Sequence, residues 1–414
     1  MVATKEMADY WMEYFLSTGD RASKVWLLSP KPSPALDKTY DFTAGGFGIS
    51  VIDQFAGCHP FLINYDFAVK RTGAVRYIPT VVLDSHIVDY LVKYSKSPGK
   101  LSGDQYRAVR KFLEFMIERR YDYNPFFYYI ESVAKNGKAK AEECAIDAAE
   151  TLLRLHTMDE DLFKREDRIV TNPAWLEPYV HRFGVSTIEE MVPLMIGAMT
   201  SSISAEAFNE WMEYSYAVLL KMVLIHLGSK RPLEEKCELL RDFIEKEMNV
   251  VTARENAIAP YYFAGQLERL IPVKKGMSSF DKASKKLRAT AWDLFFLRIP
   301  ELHLAMGDEE ETSLCYVCTS ESDLRAVGRH FTVEQVVAES SRSYPSTVVS
   351  LAISSNDKRL SEDRAIRIVQ RQMQRVDARA SDKTAANAPP ISSEDLQTLI
   401  AAQETELKNL LCLR

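Results

Sequence analysis

The sequence predicts an α/β protein, and three observations carry that expectation. Two short apolar stretches, "IPTVVL" (78–83) and "SLCYVC" (313–318), read as strands, and each stops abruptly in polar, acid-bearing sequence. Around them lie runs with apolar residues at helical spacing, at 86–95, 103–120, 125–135 and 139–156 and through most of 185–298. The composition is that of a folded chain: of 414 residues, 46% are hydrophobic and 27% charged, which excludes a disordered protein and leaves room for two or three domains.

Taken in order, residues 5–17 read as a short helix and 20–75 as a mixed segment with Pro30, Pro32 and Pro34. The glycines of "TAGGFGIS" lack the Lys-Ser/Thr ending of a P-loop and the full dinucleotide spacing, so they read as a loop or hairpin turn. The strand at 78–83 follows, then the helices. "VPLMIGAM" and "AVLLKMVLIHL" are too short to span a bilayer, and the second contains Lys221, so both are expected as core helices and no membrane partner is expected. "STVVSLAIS" (346–354) is a third strand candidate. From about 380, "ASDKTAANAPPISS" reads as a linker, followed by a last helix capped by Ser392 or Ser393. Its stripe of Leu396, Leu399, Ile400, Leu407, Leu410 and Leu411 must be covered by the same chain, a second copy or a protein partner.

Net charge is −6, which argues against indiscriminate coating of nucleic acid or anionic membrane but permits a local basic patch. Six scattered cysteines show no framework spacing and read as reduced thiols of a cytoplasmic protein. The beginning, "MVATKEMADYWMEYF", lacks the basic and apolar segments of a signal peptide. Cys315 and Cys318 have a zinc or redox spacing, but on a strand they point to opposite faces and no second pair exists.

The acids are more informative. Asp84 ends the first strand; Glu321 and Asp323 follow the second, just after Thr319. A lone acid at a strand end commonly caps the next helix. Two strand ends with the same habit point to a shared acidic site, where a hard divalent cation relieves carboxylate repulsion. Glu131 in "NPFFYYIESVAKNG" and Asp293 in "LRATAWDLFFLRIPEL" are embedded in apolar sequence. Burying such an acid without a partner is costly. For Asp293 the partner is a metal, Arg288 or Arg298; for Glu131 the alternative to a site is a solvent-facing slot.

The order strand-Asp, helix-Glu, helix-Asp, strand-Thr-x-acid-x-Asp resembles the PIN-domain nucleases. The first motif is "VVLDSH" and the last "CYVCTSESDL"; Asp293 and Glu131 match the penultimate and middle acids. The resemblance covers roughly 76–135 and 285–330. His86 stands where the family usually has Asn, and Glu321 where it usually has Asp. The resemblance implies a small parallel sheet flanked by helices (α/β/α), with a large all-helical insertion and a C-terminal helical tail. The organisation would be 1–75 mixed, 76–157 and 276–355 the two PIN-like parts, 158–275 the insertion, 356–380 a basic helix, and 381–414 linker and terminal helix. It further implies a metal-dependent endonuclease, for RNA ahead of DNA, with Mg²⁺ or Mn²⁺ held by Asp84, Glu131, Asp293 and Asp323. Glu321 would be a reserve ligand or water positioner. Stand-alone members of the family are often toxins or defence effectors controlled by a partner.

A polyanionic substrate needs cations. Lys282, Lys285, Lys286 and Arg288 lead directly to Asp293. In "RAIRIVQRQMQRVDAR", Arg364, Arg367, Arg371, Arg375 and Arg379 share one side of a helix. Either run also reads as an ordinary solvated face. The competing expectation is a non-catalytic scaffold, binding nucleic acid or protein, with a degenerate acidic site; convergence of the four acids discriminates the two.

Overall fold

The computed structural model describes residues 5–32, 38–73, 75–201, 205–250, 252–274, 276–277, 279–307, 310–339, 346–351, 364 and 390–412. In chain order the first elements are α1 (Lys5–Thr18), β1 (Lys24–Pro32), β2 (Tyr40–Ala44), β3 (Phe47–Ile52), β4 (Cys58–Ile63), α2 (Tyr65–Lys70), β5 (Arg76–Leu83) and α3 (Ser85–Lys96). They continue with α4 (Gly103–Arg119), β6 (Asp122–Asn124), α5 (Phe126–Asn136), α6 (Lys138–His156), α7 (Glu160–Glu166), α8 (Pro173–Phe183), α9 (Ile188–Ser201) and α10 (Ala205–Gly228). The last are α11 (Leu233–Asp242), α12 (Ala253–Phe263), α13 (Phe280–Met306), β7 (Glu311–Thr319), α14 (Ser322–Gly328), β8 (Phe331–Ala338), β9 (Ser346–Leu351) and α15 (Ser393–Cys412).

The chain divides into two compact units. One comprises Thr4–Phe208 with Ile299–Arg329; the other is formed chiefly by Asn209–Arg298 and His330–Arg414. The division cuts through the interval 158–275: α7, α8 and α9 belong with the first unit, α11 and α12 with the second.

The first unit holds a five-stranded sheet of order β2-β3-β7-β5-β6. β5 pairs parallel with β7 over Arg76↔Glu311 to Leu83↔Cys318, and parallel with β6 on its other side. This central strand, flanked on both edges, is the apolar run seen in the sequence, and Val81, Val82 and Leu83 are fully buried. The expectation of a purely parallel sheet is corrected here. β2 and β3 are antiparallel, and β3 meets β7 antiparallel. The cause is the connection: only Gly45 and Gly46 separate β2 from β3, and so short a turn can join antiparallel strands only. Gly45 takes a φ of 55°, which suits glycine. Gly45 and Gly46 of "TAGGFGIS" therefore form a hairpin turn, and Gly48 lies in β3.

Each face of that hairpin is used differently. Phe42 packs on Phe112 and Phe115 of α4, with ring centroids 5.8 and 5.1 Å away. Asp41 and Ser50, one residue out of phase and paired across the hairpin, point to the opposite face. α4 starts on a capping box in which Ser102 and Gln105 exchange hydrogen bonds, and buries Ala108, Val109, Phe112, Leu113 and Met116. α3 follows β5 directly and buries Ile87, Val88, Leu91 and Tyr94, one stripe at helical spacing. Elsewhere in this unit β1 pairs antiparallel with β4.

In the second unit, β8 and β9 form an antiparallel pair. The Tyr261 hydroxyl on α12 donates to the Leu351 carbonyl at 2.8 Å. α15 starts where expected, with Ser392 Oγ accepting from the Asp395 N–H at 3.1 Å. Its Leu396, Ile400, Leu407 and Leu411 are buried within its own chain. The Tyr216 hydroxyl on α10 donates to Glu404 at 2.7 Å, and the Ile391 N–H donates to the Met248 carbonyl at 2.9 Å. The stripe that raised the prospect of self-association or a protein partner is thus covered by the same chain. No described helix is long and apolar enough to cross a membrane.

Candidate functional site

The carboxyl ends of β5 and β7 lie side by side, because the parallel register that pairs Leu83 with Cys318 sets Asp84 beside Thr319. The Asp84 N–H donates to the Cys318 carbonyl at 3.0 Å, and the Thr319 hydroxyl donates to Asp84 Oδ2 at 2.6 Å. Asp84 also caps α3, its Oδ1 accepting from the His86 N–H at 3.3 Å. The cap and the contact between motifs are two jobs of one carboxylate. Asp84 is 8% exposed. Burial raises its carboxyl above the usual range; the Thr319 hydroxyl and His86 oppose the rise, and the charge of Glu131 adds to it.

Glu131 reaches the same edge from α5, the helix that follows β6. Its Oε2 accepts from the Ser85 hydroxyl and its Oε1 pairs with Lys135, one turn further along α5. Glu131 is thereby tied to the residue next to Asp84. On the β7 side, Glu321 occupies the N-cap position of α14, and its Oε1 lies 3.2 Å from His86 Nε2 across an exposed gap. The Glu321 N–H donates to Thr319 Oγ1 at 3.1 Å, closing the loop between strand and helix. His86, which departs from the family pattern, is thus matched with Glu321, which departs too.

The remaining expected residues are distributed. Asp323 sits half-buried in the first turn of α14, where Ser322 donates to it at 3.4 Å. Asp293 is on α13 in the part belonging to the second unit. The arginines expected beside it are taken elsewhere: Arg288 pairs with Glu213 and Glu404 and lies over the Tyr216 ring, and Arg298 pairs with Glu255. Lys282, Lys285 and Lys286 are exposed on α13, whereas Arg288 is committed to those acids. Arg364 is committed as well, to Glu234, with Nε–Oε1 at 2.7 Å and Nη2–Oε2 at 2.8 Å. Arg367, Arg371, Arg375 and Arg379 lie outside the described residues.

Two arginines on the edge were not anticipated. Arg329 forms a bidentate pair with Asp41 at 2.9 and 3.2 Å, and Ser50 donates to the same carboxylate. Burial works against the charged form of Asp41, but the Arg329 and Ser50 hydrogen bonds and the charges of Arg329 and Arg325 outweigh it and hold the carboxyl below its usual range. Arg325 rests on Gly48 of β3.

Among the described residues, no group of three or more His, Cys, Asp or Glu side chains is gathered to hold a metal ion. The donor chemistry of the edge nevertheless suits one kind of cation. Asp84 and Glu131 offer only carboxylate oxygens and repel each other, and Mg²⁺ is commonly held by one or two carboxylates, with waters and substrate phosphates completing its shell. Comparison of the chain with protein-family models, with curated proteins and with solved structures gives no match.

Proposed function

We propose that the carboxyl edge of the five-stranded sheet is the hydrolytic site of a metal-dependent endonuclease of the PIN-like kind, acting on RNA ahead of DNA. The supporting observation is the Asp84–Thr319 hydrogen bond, which joins the first and last motifs on neighbouring parallel strands. Ligands of open α/β sheets bind beyond such strand ends. Asp84 and Glu131 are the residues that would hold Mg²⁺ or Mn²⁺. When bound, the cation supplies charge relief on the phosphate and a water of lowered pKa. The chain's own part is positioning. The Thr319 hydroxyl fixes the Asp84 carboxylate, and Ser85 fixes that of Glu131. Lys135 balances Glu131 until a cation does so.

The test is cleavage of mixed single-stranded and structured RNA and DNA by the purified chain, with Mn²⁺, with Mg²⁺ and with EDTA. Asp84→Asn and Glu131→Gln are run beside the parent. Cleavage that requires metal and falls to the EDTA level in both variants supports the reading. A second reading, a non-catalytic scaffold, draws on one observation: both oxygens of Asp84 and both of Glu131 already have protein donors. No cleavage under any condition, together with no effect of either cation on the melting temperature, would select that reading.

A further inference from the structure

Arg325 of α14 and Arg329 at the C-cap of that helix are one turn apart and are treated differently. Arg329 is committed, both terminal nitrogens binding Asp41. Arg325 forms no ion pair among the described residues, and its Nε is buried without a hydrogen-bond partner. The residue as a whole is half-buried rather than enclosed. Its position is set by two contacts. Its N–H bonds the Glu321 carbonyl at 2.9 Å, placing it one turn beyond the end of β7. Its guanidinium lies against Gly48, two residues along β3 from Ser50, which pairs with Thr319. A Cβ at Gly48 would fall 2.4 Å from Arg325 Nη1. The glycine therefore leaves room for a guanidinium on the β3 side of Thr319, where its charge also acts on Asp41.

We propose that Arg325 is a substrate-positioning residue that binds a non-bridging phosphate oxygen of the polynucleotide at this edge. This rests on the phosphodiester reading above. A guanidinium is planar, always charged and suited to phosphate, and the terminal nitrogens of Arg325, on a half-buried residue, make no hydrogen bond among the described residues. Asp84 and Glu131 repel phosphate, so a cation on the β3 side of the same edge, whose charge already reaches Asp41, favours a backbone lying on that side. Gly48 is the selectivity device: any side chain there pushes the guanidinium out of place.

The experiment separates the two claims by reading binding without cleavage. Fluorescently labelled single-stranded RNA and DNA oligomers are titrated with the full chain in EDTA, by anisotropy, across a series of salt concentrations. The variants are Arg325→Gln, Arg325→Lys, Gly48→Ala and Gly46→Ala. Gly46 is in the same hairpin, but an added Cβ there meets nothing within 4 Å, so it controls for the substitution itself. Gly48→Ala displaces only the flexible end of a side chain, so its melting temperature should stay near the parent's.

Arg325→Gln and Gly48→Ala are expected to weaken binding about tenfold and to lower the slope of log affinity against log salt by about 0.7, the share of one phosphate contact on a single strand. Arg325→Lys should recover part of the affinity, and Gly46→Ala should match the parent. A parent that binds while Arg325→Gln and Gly48→Ala keep its affinity and slope overturns the role of Arg325 and leaves the nuclease reading standing. A parent that binds neither polymer at any salt overturns both.

Discussion

Each unit buries a carboxylate, and the two are compensated in opposite ways. In the second unit Glu255 is fully buried, its side chain meeting the Arg298 guanidinium and the Ser215 hydroxyl, the latter at 2.5 Å. In the first unit Asp84 is almost as deeply buried but has only neutral donors, the Thr319 hydroxyl and the His86 N–H. Glu255 faces an equal and opposite charge. Asp84 has no such ion pair: His86 nearby eases its position and Glu131 worsens it. A buried acid beside a second carboxylate, at a strand end that opens to a loop, is held less favourably in its charged form than one paired with arginine.

The largest way to break that contrast is Arg298→Ala, which leaves Glu255 buried with hydroxyl support alone. We expect a loss of about 3–5 kcal/mol in urea unfolding, the usual cost of removing one partner of a buried pair. A loss under about 1 kcal/mol would show that Arg298 does not carry the compensation of Glu255 and would dissolve the contrast. Next in size is the cation itself. Mg²⁺ or Mn²⁺ at a hundred times its dissociation constant should stabilise the parent by about 2.7 kcal/mol, read as a rise in melting temperature, and should leave Asp84→Asn unmoved.

Thr319→Val is nearly isosteric and removes the hydroxyl that serves both Asp84 and the Glu321 N–H. We expect a cost of about 1–3 kcal/mol at neutral pH. The pH profile sharpens the point. Since folding raises the Asp84 pKa above its ordinary 3.8, the folded state holds that proton more tightly than the unfolded state. Its contribution is therefore favourable at low pH and is lost as pH rises through the folded-state value. Asp84→Asn should flatten this decline, gaining stability on the parent at neutral pH and losing the advantage as pH falls towards 3.8. A decline just as steep in Asp84→Asn would assign it to other groups. The smallest effect expected is from Lys135→Ala: Lys135 is 54% exposed, and the change should cost no more than about 0.5 kcal/mol at low salt and nothing measurable at high salt.

Much of the frame was legible. The apolar run ending at Asp84 marked a strand and its carboxyl boundary, and "SLCYVC" marked most of β7, because both are largely buried in the sheet and mostly apolar. The helices from α3 to α6 were legible from their stripes, caps and stops. β6 escaped notice, because three residues are too few to show alternation. A hairpin turn at "TAGGFGIS" was among the readings, but its attachment to β7 escaped, since nothing local tells which strand a hairpin will join. For the site, the approach of Asp84 to Thr319 and the acid at Glu131 followed from motif order. Arg325 could not be found this way. Its relevance depends on Gly48, some 277 positions earlier, and a glycine in a strand announces a close approach without saying of what. Arg364 shows the opposite failure: an arginine counted with a ridge is held by Glu234.

The pairing of β5 with β7 has a consequence for the order of events during synthesis. Asp84 and Thr319 are separated by 235 residues, so a growing chain carries the first motif long before it owns the second. Until β7 emerges, β5 lacks one of its two neighbours, and Asp84 has no hydroxyl to hold it. Long-range parallel pairing of this kind closes slowly. A ribosome-bound or truncated chain ending before Thr319 therefore lacks the assembled edge altogether. A cell making such a protein would meet whatever that edge does only once translation has passed the last motif.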